Sequence, residues 1–366
     1  MSIAEAHISY SRDEAAHERV LWEPLMLRAA QIEEVFANLQ AGDADRNGRR
    51  EARIAHPRAN NAGRGLAPTT AVSLGTLLPG ESTTPGRNNT SGVYMVIGGQ
   101  AEVTEGQRVF TVGPTDVWTK PSMALESIAN HGDEPFRYLH YSNSALLETL
   151  SYYYEDGGPI GTFHGGKEPL EAGSRSKDLT PPIPLDTDGG EILLPYEHLI
   201  DPDYVEDRPL HFSWSDVSAH LDRVRSLKSG YTGRPLFVLY NPATGRLNGT
   251  TPSFFATIAA FGANFSGPTH RHMSSAINYH FAGSGSSVVN GEEVHWEAGD
   301  LMLSAPAWSE HAHTSGPNGA MILTIQDHPF HIGNGSLVWQ EDIENGEVIA
   351  LGTQAGFNTN IGSLQG

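Results

Sequence analysis

Eight of the chain's 17 histidines, His270, His272, His280, His295, His311, His313, His328 and His331, fall within 62 residues. Two pairs, His270-Arg271-His272 and His311-Ala312-His313, have i, i+2 spacing, which on a strand sends both imidazoles to one face. Cysteine is absent, so thiolate nucleophiles, zinc knuckles and iron–sulfur ligation are excluded. Histidines and carboxylates are then the available metal ligands, and two HxH pairs facing one barrel interior suit a divalent cation. A lone buried histidine is more often a core residue, and His295, His328 and His331 taken singly are read that way.

Elements that position such pairs must be strands. Two stretches, about 70 to 142 and 254 to 327, carry short runs of Val, Ile, Leu, Phe and Tyr. Turn residues such as Gly98-Gly99, Gly283-Ser284-Gly285 and Asn290-Gly291 punctuate these runs. Placing Gly48-Arg49 over Gly233-Arg234, an offset of 185, also pairs Tyr94 with Tyr279, Gly98 with Gly283 and Pro121 with Pro306. A shared offset over that length indicates two copies of one barrel or jelly-roll unit. Helices are expected near Trp22 to Leu39, after a capping box at Ser11 and Glu14, and near Trp214 to Leu227.

The expected organisation is a helical arm (1–44), a first barrel (45–156), a linker with a helical segment (157–230), a second barrel (231–345) and a tail (346–366). At the offset of 185, the first-copy counterparts of His270, His272, His311 and His313 are Pro85, Arg87, Glu126 and Ile128. One metal per chain follows, held in the second copy. The formal net charge of −20 disfavours nucleic acid and anionic membrane surfaces as partners. No signal peptide or spanning segment is read, so a cytoplasmic protein is expected.

The motif set resembles a known family. Gly267-Pro268-Thr269-His270-Arg271-His272, Trp296-Glu297-Ala298-Gly299-Asp300, Pro306-Ala307-Trp308-Ser309-Glu310-His311-Ala312-His313 and Asp327-His328-Pro329 are similar to the cupin metal site of gentisate and salicylate 1,2-dioxygenases. The similarity extends over roughly 210–330. It implies an all-β bicupin in which His270, His272 and His311 hold Fe(II), and His313 acts in acid–base or hydrogen-bonding chemistry beside it. It also implies a homo-oligomer, often a tetramer. Many cupins add a Glu four or five residues after the second histidine, where this chain has Ala276 and Ile277. Three neutral imidazoles leave the metal's charge uncompensated, which suits a chelating hydroxy-carboxylate with O₂.

By the same resemblance Arg234 binds a substrate carboxylate, a task that suits the guanidinium fork. Asn278 stands where the family commonly has a second arginine, which points to altered ring substituents, such as a nitro or halo group or a hydroxyl para to the phenol. Tyr279, His280, Trp296, Trp308, Glu310 and Gln326 are further lining candidates. The implied function is cleavage of a salicylate-type ring, gentisate or a 5-substituted salicylate such as 5-nitrosalicylate, between the carboxyl- and hydroxyl-bearing carbons. Copper or nickel in the same site, another cupin dioxygenase or isomerase, and a non-catalytic metal-binding cupin stay open.

Overall fold

The structure, a computed structural model, describes residues 21–59, 62–156, 176–185, 191–200, 205–226, 235–341 and 343–351. Ser11, Glu14 and Arg234 lie outside the described residues. The chain begins with β1 (Leu25–Leu27) and α1 (Ala29–Ala41). The first barrel comprises β2 (Arg50–Ile54), β3 (Ala71–Leu77), β4 (Arg87–Asn88), β5 (Gly92–Gly98), β6 (Ala101–Glu105), β7 (Arg108–Val112), β8 (Val117–Lys120), β9 (Glu126–Ala129) and β10 (Phe136–Ser142). It closes with α2 (Ser144–Thr149) and β11 (Glu155–Asp156).

Between the barrels lie α3 (Ser176–Leu179), β12 (Ile183–Pro184), β13 (Ile192–Leu193), α4 (Glu197–Ile200), β14 (His211–Phe212) and α5 (Trp214–Arg225). The second barrel runs β15 (Leu236–Val238), β16 (Phe255–Phe261), β17 (Arg271–His272), β18 (Ala276–Val289), β19 (Glu292–Glu297), β20 (Leu301–Ala305) and β21 (His311–Gln326). It ends with α6 (His328–Gly333), β22 (Val338–Gln340) and β23 (Ile349–Ala350).

Each barrel is a two-layer antiparallel roll. The first has a sheet ordered β14-β8-β5-β10-β3-β2 facing β7-β6-β9; the second has β1-β20-β18-β21-β16-β15, with β19 on β18. The all-β bicupin architecture expected from the sequence is thus the one observed. The β18–β19 hairpin turns at Asn290-Gly291, both at positive φ (49° and 85°), as a two-residue primed turn requires. The long strands β18 and β21 bend where Gly283 (φ 79°) meets Gly319: a Cβ on Gly283 would lie 2.0 Å from the Gly319 carbonyl oxygen.

Pairing registers show how the two copies correspond. The pair Ala71–Ser142 matches Phe255–Gln326, and 255 − 71 and 326 − 142 both give 184. An offset of 185 holds at β2 and β15; where the bridge Gly86–Glu126 matches His270–His311 the offset is 184 on the first side and 185 on the second. The counterparts of His270 and His272 are therefore Gly86 and Asn88, a correction of one residue to Pro85 and Arg87; Glu126 remains the counterpart of His311. One-residue insertions in loops shift the alignment without altering the sheet.

The N-terminal arm also differs from expectation. The helix starts at Ala29, and Leu25–Leu27 pair with Leu303–Leu301 as an edge strand of the second barrel. Reciprocally, β14 pairs with β8 of the first barrel. The arms are crossed. The helix near Trp214 forms as read, capped by Ser213 Oγ accepting from Asp216 N. Between the barrels, Val72, Leu74, Val93, Met95, Leu139 and Tyr141 form one apolar core with Ile258, Ile277, Leu301, Leu303, Leu323 and Ile325. Each fully buried side chain of this kind contributes about 1.5–3 kcal/mol, so the two barrels stabilise each other. Among the described residues, no helix is long and apolar enough to cross a membrane.

Candidate metal centre

His270 and His311 face each other across an isolated bridge, His270 N donating to His311 O at 3.1 Å and His311 N to His270 O at 2.9 Å. His272, two residues on in β17, joins them. One ring nitrogen from each of His270, His272 and His311 lies within 4.8 Å of the others. The i, i+2 parity expected of a strand is what brings His270 and His272 to one face.

The tautomers are set by backbone carbonyls. Nδ1 of His270, His272 and His311 lies 3.0, 2.9 and 2.9 Å from the carbonyl oxygens of Pro268, Ser274 and Ser309. A carbonyl only accepts, so each Nδ1 carries the proton and each Nε2 keeps its lone pair. His272 Nε2 is buried and has no protein partner. Desolvation, followed by the neighbouring imidazoles, holds His272 and His311 well below the usual histidine pKa, so both are neutral, as a ligand must be. Ala276 and Ile277 are buried and supply no carboxylate. Three neutral nitrogen donors fit a divalent first-row metal that retains open positions.

His313 has the parity of His311, its ring centroid 5.6 Å from it, but it stands outside the three-histidine group. Its Nδ1 lies 2.7 Å from Oγ of Ser287, its direct cross-strand partner. The Trp296 indole N–H donates to the same Oγ at 2.9 Å. The indole can only donate, so Ser287 accepts from it, which leaves one lone pair and the hydroxyl hydrogen to meet His313 Nδ1. We infer that this hydrogen is given to Nδ1, which places the His313 proton on Nε2, the opposite tautomer from the three ligands. Burial pushes it down to about 3 and keeps it neutral.

Asn278 is buried, points into the barrel with Met302 as cross-strand partner, and donates from Nδ2 to Ser304 Oγ at 2.9 Å. Tyr279 belongs to the core between the barrels. His280 stacks on Trp296 inside the barrel, with centroids 4.1 Å apart. Arg271 turns away from its flanking ligands: it donates to Gln340 Oε1 at 2.7 Å, pairs with Glu310 at 3.3 Å and lies over the Trp308 ring. Gln326 is half-buried at the end of β21.

One neighbour escaped the sequence reading, and another entered it only within a motif. Trp339 on β22 stacks on both His270 and His272, at 5.0 and 4.8 Å. His328, read as a core residue when taken alone, lies 5.2 Å from His272 and is pushed down to about 3 by burial. Its signal was Asp327-His328-Pro329, an N-cap position and a proline that open α6 beside the site. Asp327 accepts from Ser275 N at 2.6 Å and from Thr69 Oγ1 at 2.5 Å, tying the ligand loop to the first half of the chain.

No protein-family model matches the chain. It is 32% identical over 130 residues to a 5-aminosalicylate 1,2-dioxygenase of Comamonas sp., covering 35% of this chain and 34% of that protein. It is 28% identical over 275 residues to a 1-hydroxy-2-naphthoate 1,2-dioxygenase of Nocardioides sp. (strain KP7), covering 72% and 65%. The matched regions span less than two thirds of either relative's length. In fold it is similar to the salicylate 1,2-dioxygenase of Pseudaminobacter salicylatoxidans, with a TM-score of 0.70, 17% identity and 91% of each chain covered. The metal-centre motifs, the sequence relatives and the fold point the same way: the chain is similar in sequence to aromatic-acid 1,2-dioxygenases and shares the bicupin fold of a salicylate 1,2-dioxygenase.

Proposed function

We propose that this chain is an Fe(II)-dependent dioxygenase that opens the ring of a salicylate-type acid between the carboxyl- and hydroxyl-bearing carbons. The observation that carries this reading is the trio of Nε2 lone pairs, each fixed by an Nδ1–H bond to a carbonyl, with no carboxylate ligand beside them. When bound, the metal supplies Lewis acidity, open positions for the two substrate oxygens and O₂, and a path for electrons between them.

The chain's own residues do the rest. His313 presents an Nε2–H donor to the oxygen that gains negative charge as the ring opens. Arg234, outside the described residues, clamps the substrate carboxylate, and the neutral amide of Asn278 tunes the barrel interior for ring substituents. Trp339 covers the His270 and His272 rings and shields them from water. Both oxygen atoms enter the product: the hydroxyl-bearing carbon becomes a carboxylic acid, and the carboxyl-bearing carbon becomes the ketone of a 2-oxo acid. We assign the protein to the cytoplasm and to a homo-oligomer.

Oxygen uptake by Fe(II)-reconstituted protein, with gentisate, salicylate, 5-aminosalicylate and 5-nitrosalicylate, tests the reading. Stoichiometric uptake with at least one member is expected, and none with any member refutes it. Preference for unsubstituted salicylate refutes the role given to Asn278. His311→Ala should lose stoichiometric iron.

A further inference from the structure

The first barrel keeps the shape of the metal centre without its ligands. Gly86, Asn88 and Glu126 stand where the second barrel has His270, His272 and His311. The space has not been filled: a Cβ on Gly86 would meet nothing nearer than the Thr84 carbonyl oxygen at 3.9 Å. A cavity of about 610 Å³ opens there, lined by Gly86, Asn88, Arg49, Arg87, His140 and Tyr153 among others.

A barrel retained only for packing would have closed this chamber with apolar side chains, since buried polar groups cost stability. The opposite is seen. Glu105, Lys120 and Glu126 are each at most 2% exposed, whereas the counterpart of Glu105 is Val289 and that of Lys120 falls at the uncharged Ser304–Ala305 bulge. His140 stacks on Tyr94 at 4.0 Å, and its Nε2 is buried without a protein partner.

We propose that the mouth of the first barrel is a second binding site, for a small neutral molecule rich in hydroxyl groups, of polyol or monosaccharide size. Charge selects the class. Guanidiniums and carboxylates are mixed around the chamber: Arg49 pairs with Glu126 at 3.0 Å, Arg53 with Glu148 at 2.7 Å and Arg87 with Asp156 at 2.5 Å, while Arg46 shares the lining with Asp45, Glu51 and Glu155. An anion would meet these carboxylates and a cation the guanidiniums. A hydroxyl group both donates and accepts, so it can bridge such a pair without unbalancing it. Ser73, Ser142 and Ser144 add hydroxyls of their own, and Tyr153 offers a ring face. The volume lies within the range of small-molecule sites.

This site is independent of the metal centre, so calorimetry on the full chain serves with or without Fe(II). The probes are D-glucose and myo-inositol, with succinate and salicylate as anionic controls. Saturable binding of a polyol in the millimolar range or tighter is expected. Gly86→Leu fills the chamber at a position with room for a side chain and should weaken binding at least tenfold, with the melting temperature and iron content unchanged. Tyr153→Ala should weaken it several-fold. The proposal is overturned if neither polyol binds saturably, if Gly86→Leu binds as tightly as the parent, or if succinate binds more tightly than the polyols at a Gly86-sensitive site.

Discussion

Replacing Ser287 by alanine isolates the device that sets the His313 tautomer. The change removes one oxygen atom, 0% exposed, which accepts from Trp296 Nε1 and lies 2.7 Å from His313 Nδ1. A buried indole N–H left without an acceptor costs about 1–3 kcal/mol. The freed imidazole can then place its proton on either nitrogen. Partners at this remove from a metal centre typically affect activity about 10–100-fold. Three readouts follow. Urea unfolding should show a loss of about 1–3 kcal/mol. Side-chain ¹⁵N spectra of metal-free or Zn-loaded protein should move His313 from a pure Nε2–H tautomer toward a mixture. Steady-state kinetics should show kcat falling by at least about tenfold, with KM and iron content little changed, because Ser287 touches none of the three ligands. Ser287→Thr, which restores a hydroxyl, should recover the tautomer. An Nδ1–H tautomer in the parent, or an unchanged spectrum in Ser287→Ala, would refute the reasoning whether or not the enzyme turns over.

Other perturbations test separate parts of the structure. Burial holds His280 at about 4 against 6.5 when unfolded, so the unfolded chain binds more protons below pH 6.5 and stability falls with pH. Between pH 7.5 and 5.5 this costs about 1 kcal/mol, and His280→Phe, which keeps a ring on Trp296, should remove that share from urea midpoints. Stripping the metal with a chelator should lower the melting temperature, by an amount that grows with free metal concentration before removal; His272→Ala should abolish that response. Asp327→Ala leaves Ser275 N and Thr69 Oγ1 without their acceptor and should cost about 2–4 kcal/mol in chemical unfolding.

Much of this architecture can be read from the residues, and the failures have physical causes. Strand parity made the HxH pairs informative, because period two leaves no freedom about which face a side chain takes. The repeat was visible, but loop insertions of one residue moved the offset between 185 and 184, enough to mistake Gly86 and Asn88 for Pro85 and Arg87 as counterparts of His270 and His272. Leu25–Leu27 carry apolar residues that suit a helix or a strand; the open edge of β20, far away in sequence, decides between them. Trp339 reaches the metal centre only through the pairing of β22 with β17, a contact that no local pattern encodes. The tautomers of His270, His272 and His311 depend on carbonyls of Pro268, Ser274 and Ser309, all two residues away, yet backbone direction alone aims them.

The crossed arms bear on how such a chain can be divided and how it could have arisen. The strand before the first barrel seals an edge of the second, and the strand before the second seals an edge of the first. Cutting between the barrels would strip each half of its seal and bare an unpaired strand, the kind of edge that recruits other chains. Two separate copies of the ancestral half could satisfy both edges only by exchanging arms as a swapped pair. In one polypeptide that exchange is intramolecular, at the effective concentration a tether provides. The seal of each half is then independent of what fills its interior, which lets one mouth carry histidines and the other charged pairs within the same frame.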